Sequence, residues 1–115
     1  ERREYVEAFG AFLAQHPQQW EAARITGHTD VRGGDRINDA LSSARAKTVN
    51  DALVASGVDA PKLSSRGMGS RDPVDPANNA IAWQRNRRVE IEFGGVEDAE
   101  RFSDEINKID RKFFP

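Results

Sequence analysis

The chain has no cysteine in its 115 residues, which excludes disulfide staples and thiol chemistry but identifies no compartment. It also lacks any apolar run near the ~20 residues that a membrane-spanning helix needs. No signal-peptide pattern is present, so export would depend on a targeting segment outside this chain. An excess of one charge is missing as well. Lys and Arg number 17 against 19 Asp and Glu, a formal net of −2, and the two signs are interleaved. A nucleic-acid partner would call for a basic face, so none is expected. There is no internal repeat and no low-complexity tract. A chain of this length forms one domain with a modest core.

What remains is a readable alternation of helix and strand. Tyr5, Phe9, Phe12, Leu13 and His16 recur at helical steps until Pro17 stops them. Residues 22 to 29 alternate, with Ala23, Ile25, Gly27 and Thr29 on one face and Arg24, Thr26 and His28 on the other. Gly33 and Gly34 make a turn, and Asp35 is a suitable N-cap for a helix over roughly 36 to 56. Ile37, Ala40, Leu41, Ala44, Thr48 and Ala52 trace its expected apolar stripe, and Gly57 with Val58 its end. Leu63 to Met68 is a short strand, and Gly69 to Asn79, with Pro73 and Pro76, a loop. Ala80 to Gln84 make a helical turn, and Arg87 to Phe93 the clearest strand. A last helix follows Gly94-Gly95, with Val96, Ala99, Phe102, Ile106 and Ile109 on one side. Its acidic start and basic end suit the helix dipole. The order predicts a sheet with helices packed on it, the 36–56 helix crossing between parallel strands.

One stretch, Ile25 to Lys47, concentrates the chemistry. Asp30 lies at a strand exit, a short turn from the helix that carries Asn38, Leu41, Ser42 and Arg45 on one stripe. Asn38 and Arg45 are two turns apart, ~10 Å along the axis, and an arginine reaches back toward the helix start. Asp30, Asn38 and Arg45 therefore can border one pocket. An arginine fork takes a carboxylate and an aspartate takes an ammonium, so the set suits an amino-acid head group. The bland alternative is that Asp30 and Arg45 simply pair at the surface, an interaction worth ~0–1 kcal/mol.

The ordered set GHTD (Gly27 to Asp30), Gly33, Asn38, LSSARA (Leu41 to Ala46), GVDAPKLSSRGMG (Gly57 to Gly69), Pro73 and NRRVEIEF (Asn86 to Phe93) resembles the OmpA-like peptidoglycan-binding domain. That family includes the C-terminal domain of outer membrane protein A, peptidoglycan-associated lipoprotein and the flagellar stator B subunit. The resemblance implies an α/β (α+β) two-layer sandwich of βαβαββ type. The family's first strand is missing here, and the C-terminal helix is extra. Residues 1–93 would form the binding domain and 94–115 a helical extension of it. The implied function is non-covalent binding of peptidoglycan at the diaminopimelate of its peptide stem, without catalysis, cofactor or metal. Asp30 would hold the ammonium and Arg45 the carboxylate, with Asn38, Thr29 and Arg87 adding polar contacts beside Leu41. Strand parity also singles out Arg87, which shares a face with Val89, Ile91 and Phe93 and so must emerge at the sheet's end; Arg88 has solvent-facing parity. Ile37 and Ala44 depart from the family pattern at positions expected to lie off the clamp. The implied setting is the periplasm, tethered by a membrane-anchored or outer-membrane segment outside this chain, with avidity from multiple copies or a homodimer.

Three other readings compete. His28, Asp30 and Asp35 suggest a metal or acid–base site, but no nucleophile–base pair or three-ligand set accompanies them. VRGGDR places glycines before a helix but lacks the lysine of a phosphate loop. The C-terminal helix, with Phe102, Ile106, Ile109, Phe113 and Phe114, either covers a sheet edge or docks a partner protein.

Overall fold

A computed structural model describes the backbone of residues 2–113 and the side chains of residues 3–112. Four helices and three strands alternate: α1 (Arg2–Gln15), β1 (Ala22–Gly27), α2 (Asp35–Ala55), β2 (Leu63–Gly67), α3 (Ala80–Asn86), β3 (Val89–Gly94) and α4 (Ala99–Phe113). The sheet order is β2-β1-β3. Past the ends of β1 and β2, Met68 N–H donates to the Gly27 carbonyl and Thr29 N–H to that of Gly69, so the two strands advance together and are parallel. Glu21 pairs with Gly94 and His28 with Arg88, so β3 runs antiparallel to β1. This is the α/β architecture expected from the alternation of patterns.

The chain divides into two compact units. One comprises the segments through Ala23, Asp51–Leu63 and Phe93 onward, and it is built on aromatic packing. Phe93 meets Phe102 edge-on at 4.9 Å between ring centres and Trp20 at 5.8 Å, and Phe12 meets Phe102 at 5.8 Å. Trp20 is 1% exposed, donates its indole N–H to the Leu13 carbonyl, and is roofed by the Lys62 ammonium 3.9 Å above the ring. α2 ends in this unit on Gly57 at φ 105°, with Val58 N–H bonded to Leu53 O and Gly57 N–H to Val54 O. That is the paired-bond helix stop for which a glycine is favoured. α4 spends its apolar side on α1: Phe102 is buried, Ile106 and Ile109 are half-buried, and Tyr5 of α1 donates its hydroxyl to Asp110. Burial raises the Tyr5 hydroxyl pKa above its usual value, helped by that bond to Asp110. Phe114 and the side chain of Phe113 lie outside the described residues.

The other unit, Arg24–Asn50 with Ser64–Glu92, is organised differently. Among the described residues, the buried polar ones all lie here: Thr26, His28, Thr29, Asp30, Asn38, Ser42 and Asn86. The expected apolar stripe of α2 is not the buried one. Ile37 is 67% exposed and Leu41 43%, and Ala40, Ala44 and Thr48 are exposed too. The buried line is Asn38, Ser42 and Ala46. The cause is the closeness of the strands. A Cβ on Gly27 would stand 2.0 Å from the Ser42 carbonyl oxygen, and one on Gly67 2.4 Å from the Ser42 hydroxyl and the Ser43 amide. Only small side chains fit a helix laid so near two strand backbones. Asp35 is also within the helix rather than its cap; the Gly34 carbonyl accepts the Asn38 N–H at 3.0 Å and takes the cap's place.

Candidate functional site

The site forms where β1 ends. Thr29 and Asp30 follow the last strand residue and are 4% and 6% exposed. Asp30 turns its carboxylate back onto its own loop, a habit of short acidic side chains at turns. Its Oδ1 accepts from the Arg32 backbone N–H at 2.9 Å and from Arg32 Nε at 3.1 Å. Its Oδ2 accepts from Arg32 Nη2 at 2.8 Å and from Arg87 Nη1 at 3.0 Å. Gly33 continues the loop at φ 85°, a left-handed turn that a side chain would strain. The Arg32 hydrogen bonds, with Arg87 behind them, outweigh burial and hold the Asp30 carboxyl well below the usual carboxylate range. It is therefore ionised at any physiological pH.

Arg45 points the same way from α2, two turns after Asn38. Its Nη1 donates to the His28 carbonyl at 3.1 Å, and it has no carboxylate partner among the described residues. Asp30 and Arg45 are thus not paired with each other, which removes the bland alternative. Instead both line one open cavity of about 320 Å³, with Thr29, Arg32, Gly33, Ile37, Asn38, Leu41 and Arg87 completing the wall. Two buried polar atoms in that wall, Thr29 Oγ1 and Asn38 Nδ2, make no hydrogen bond within the chain. Unpaired buried polar groups cost free energy and ask for a partner.

α3 brings its C-cap residue, Arg87, to the cavity wall. Asn79 caps that helix by accepting the Ala82 N–H at 2.9 Å. Trp83 donates its indole N–H to Asn78 Oδ1 at 2.8 Å, and its ring lies 4.2 Å beneath the Arg32 guanidinium. Arg87 follows as the C-cap of α3, not as a strand residue. Asn86, 2% exposed, accepts the N–H groups of Val74 and Asp75 on Oδ1 and donates Nδ2–H to the Asp75 carbonyl. It ties the proline-bearing loop to the base of Arg87.

All six residues singled out in the sequence, Thr29, Asp30, Asn38, Leu41, Arg45 and Arg87, meet at this cavity. Two expectations fail. Ile37, placed off the clamp, lines the cavity, because α2 rotates Asn38 and Ser42 inward and leaves Ile37 and Leu41 outward. Arg88, expected in solvent, keeps only 17% of its side chain exposed, against 38% for Arg87. It is held by Glu90 and by the carbonyls of Asn86 and Asp72. Arg32 was passed over as part of a glycine turn. Its signal was the spacing from Asp30, two residues on, where a side-chain-to-backbone turn brings them together.

His28, beside the cavity, is 2% exposed, and neither ring nitrogen has a hydrogen bond within the chain. Burial pushes its pKa down from 6.5, aided by the Arg88 charge; Glu90, 3.8 Å away, and Asp72 pull the other way. A buried base with a lowered pKa stays neutral when the unfolded chain takes up a proton. Stability must then fall as the pH drops below 6.5 and level off below the folded value. Asp30 adds a second loss in the same direction, beginning lower, as the pH falls through 3.8. Urea unfolding between about pH 7.5 and about pH 5 should show a falling midpoint. In His28→Gln that slope should be shallower.

A strand-end carboxylate and a helix guanidinium line one cavity on an α/β sheet with packed helices. Comparisons with known proteins assign that fold to a family. Residues 1–87 match the OmpA family, and the chain belongs to it. It is 38% identical over 79 residues to the probable lipoprotein YiaD of Escherichia coli K12, covering 69% of this chain and 35% of that protein. It is 40% identical over 83 residues to outer membrane protein A of Escherichia coli O157:H7, covering 64% of this chain and 24% of that one. The chain thus spans about a quarter to a third of these relatives. Among solved structures it resembles the peptidoglycan-associated lipoprotein of Burkholderia pseudomallei, at TM-score 0.73 and 29% identity over 80% of this chain and 76% of that one. It also resembles the C-terminal domain of Helicobacter pylori MotB, at TM-score 0.76 and 27% identity over 98% and 84%. The chain is a periplasmic domain of the cell envelope; another solved structure it resembles, at TM-score 0.67 and 27% identity, is described as the periplasmic domain of Helicobacter pylori MotB. None of them is named as an enzyme, and neither they nor the fold support a homodimer.

Proposed function

We propose that this domain binds peptidoglycan non-covalently through the diaminopimelate of the peptide stem, and so anchors a larger envelope protein to the cell wall. The observation that carries this reading is the shared cavity, lined by Asp30 and Arg45 without a bond between them. The carboxylate of a diaminopimelate head group would sit on the Arg45 fork and the Asn38 amide. Its ammonium would sit at Asp30 and the Thr29 hydroxyl. Its methylene chain would lie along the exposed Ile37 and Leu41 side chains, which gives those residues a use. The peptidoglycan-associated lipoprotein supports the reading by its name and likeness.

The binding segment is residues 1–93, with 94–115 as its helical extension, and the tether to the membrane is supplied by sequence outside this chain. On this reading the domain holds its ligand and does not transform it. A docking role for α4 is disfavoured because its buried Phe102 and half-buried isoleucines are already used within the chain. Charge-assisted contacts contribute ~1.5–3 kcal/mol each, and after the entropy of association a single stem would be held at about millimolar to micromolar strength. Tethered copies on a polymer gain the rest by avidity.

The test compares purified sacculi whose stems carry diaminopimelate with sacculi that carry lysine. Lysine has the side-chain ammonium but no distal carboxylate, so Arg45 and Asn38 lose their partner. Co-sedimentation should fall about tenfold or more on the lysine wall. Equal retention on both walls would move the ligand to another part of the stem or the glycan.

A further inference from the structure

We infer that Arg32 is a specificity-determining residue that reads a second carboxylate on the same peptide; the inference rests on the diaminopimelate reading above. Two observations carry it. The first is acceptor capacity. A carboxylate offers about four acceptor positions, and those of Asp30 are taken by the Arg32 backbone, by two nitrogens of its guanidinium and by Arg87. An incoming ammonium must therefore displace one of these donors. The Arg32 guanidinium is the one that leaves: its side chain is 53% exposed, against 38% for Arg87. Water re-solvates it readily, whereas Arg87 grows from the capped end of α3.

The second observation is charge. The cavity wall holds three guanidiniums, those of Arg32, Arg45 and Arg87, and one carboxylate, that of Asp30. A zwitterionic head group matches Asp30 and Arg45 and leaves the surplus of two positive charges unchanged. A ligand with one more carboxylate than ammonium halves it. Trp83 keeps the displaced side chain at the site. Its ring already lies 4.2 Å under the Arg32 guanidinium, and its own N–H is fixed by Asn78. The fork can let go of Asp30 and remain stacked, with its donors turned to the new anion. In a stem whose diaminopimelate follows γ-linked glutamate, the free α-carboxylate of that glutamate is such a group. Amidation of it removes the charge.

The experiment is an NMR or calorimetric titration of the whole domain with three probes. They are meso-diaminopimelate, the tripeptide L-Ala-γ-D-Glu-meso-diaminopimelate, and the same tripeptide with the glutamate α-carboxylate amidated. The wild type should bind the free-acid tripeptide about tenfold tighter than the amidated one. Arg32→Gln should bind both tripeptides alike, and Arg32→Lys, which keeps the charge but not the fork, should fall between. Three outcomes would overturn the inference: equal wild-type affinity for the two tripeptides, a preference that survives in Arg32→Gln, or a uniform tightening in Arg32→Gln, which would make the side chain only a competitor for Asp30. A wild type that fails to bind meso-diaminopimelate at all would instead defeat the underlying diaminopimelate reading.

Discussion

Arg45→Ala should abolish co-sedimentation with diaminopimelate sacculi while the domain stays folded. Arg45 donates to a single carbonyl, that of His28, and balances no buried carboxylate, so truncation orphans no internal charge. The free energy of unfolding should fall by no more than ~1.5–3 kcal/mol, the worth of one bond from a charged donor, and the domain should stay folded. Binding, in contrast, loses the bidentate carboxylate contact that no neighbour can copy. Arg87 is committed to Asp30, and Arg32 is engaged either there or with the second carboxylate of the peptide. A loss of about a hundredfold for a single stem is expected, and avidity multiplies it on the polymer. Arg45→Lys should recover only part, since a point charge does not match a planar carboxylate. If Arg45→Ala sediments like the wild type, the cavity is not where the wall is held.

Gly27→Ala should be the most damaging small substitution in the domain. The added methyl would stand 2.0 Å from the Ser42 carbonyl oxygen and 2.9 Å from its carbon. Both belong to helical backbone, so no rotamer change relieves the overlap. Trimming Ser42 to alanine would not help, because the obstacle is not its side chain. Either β1 or α2 must shift, and each carries part of the site. A loss of more than ~3 kcal/mol is expected by urea unfolding, beyond the usual cost of an overpacked methyl. Gly34→Ala is the control: nothing lies within 4 Å of its added carbon, so it should cost only about 1 kcal/mol, the loss of glycine at the helix cap. A mild effect at Gly27 would mean that strand and helix are not as close as they stand here.

The fold was largely legible because period and punctuation agree. The Pro17 stop, the Gly57–Val58 helix end and the alternation from Val89 to Phe93 each correspond to a boundary or a strand. The cavity residues were legible for a related reason: a strand end, a short turn and a helical step of seven bring Asp30, Asn38 and Arg45 to one place. What resisted reading was the inward face of α2. Periodicity assumes that apolar side chains go inside, but here backbone proximity at Gly27 and Gly67 decides, so Asn38 and Ser42 face in and Ile37 faces out. Strand parity does not reach Arg88, because the strand begins only at Val89. Arg32 is not legible, because its partner sits only two residues away, where neither a strand nor a helix rule applies.

Asn86 has a consequence for the loop before α3. The segment from Gly69 to Asn79 contains no helix or strand, yet one buried amide fixes its path by taking two N–H groups and returning one to a carbonyl. The two donors it needs belong to Val74 and Asp75, and the loop's prolines stand immediately outside them, at 73 and 76. Imino acids are thus confined to the positions where a missing hydrogen does no harm, and there they stiffen the unfolded chain. A segment with no regular structure is thereby held against the arginine next in line, with the buried amide of Asn86 at its centre and Arg88 on the Asp72 carbonyl beside it.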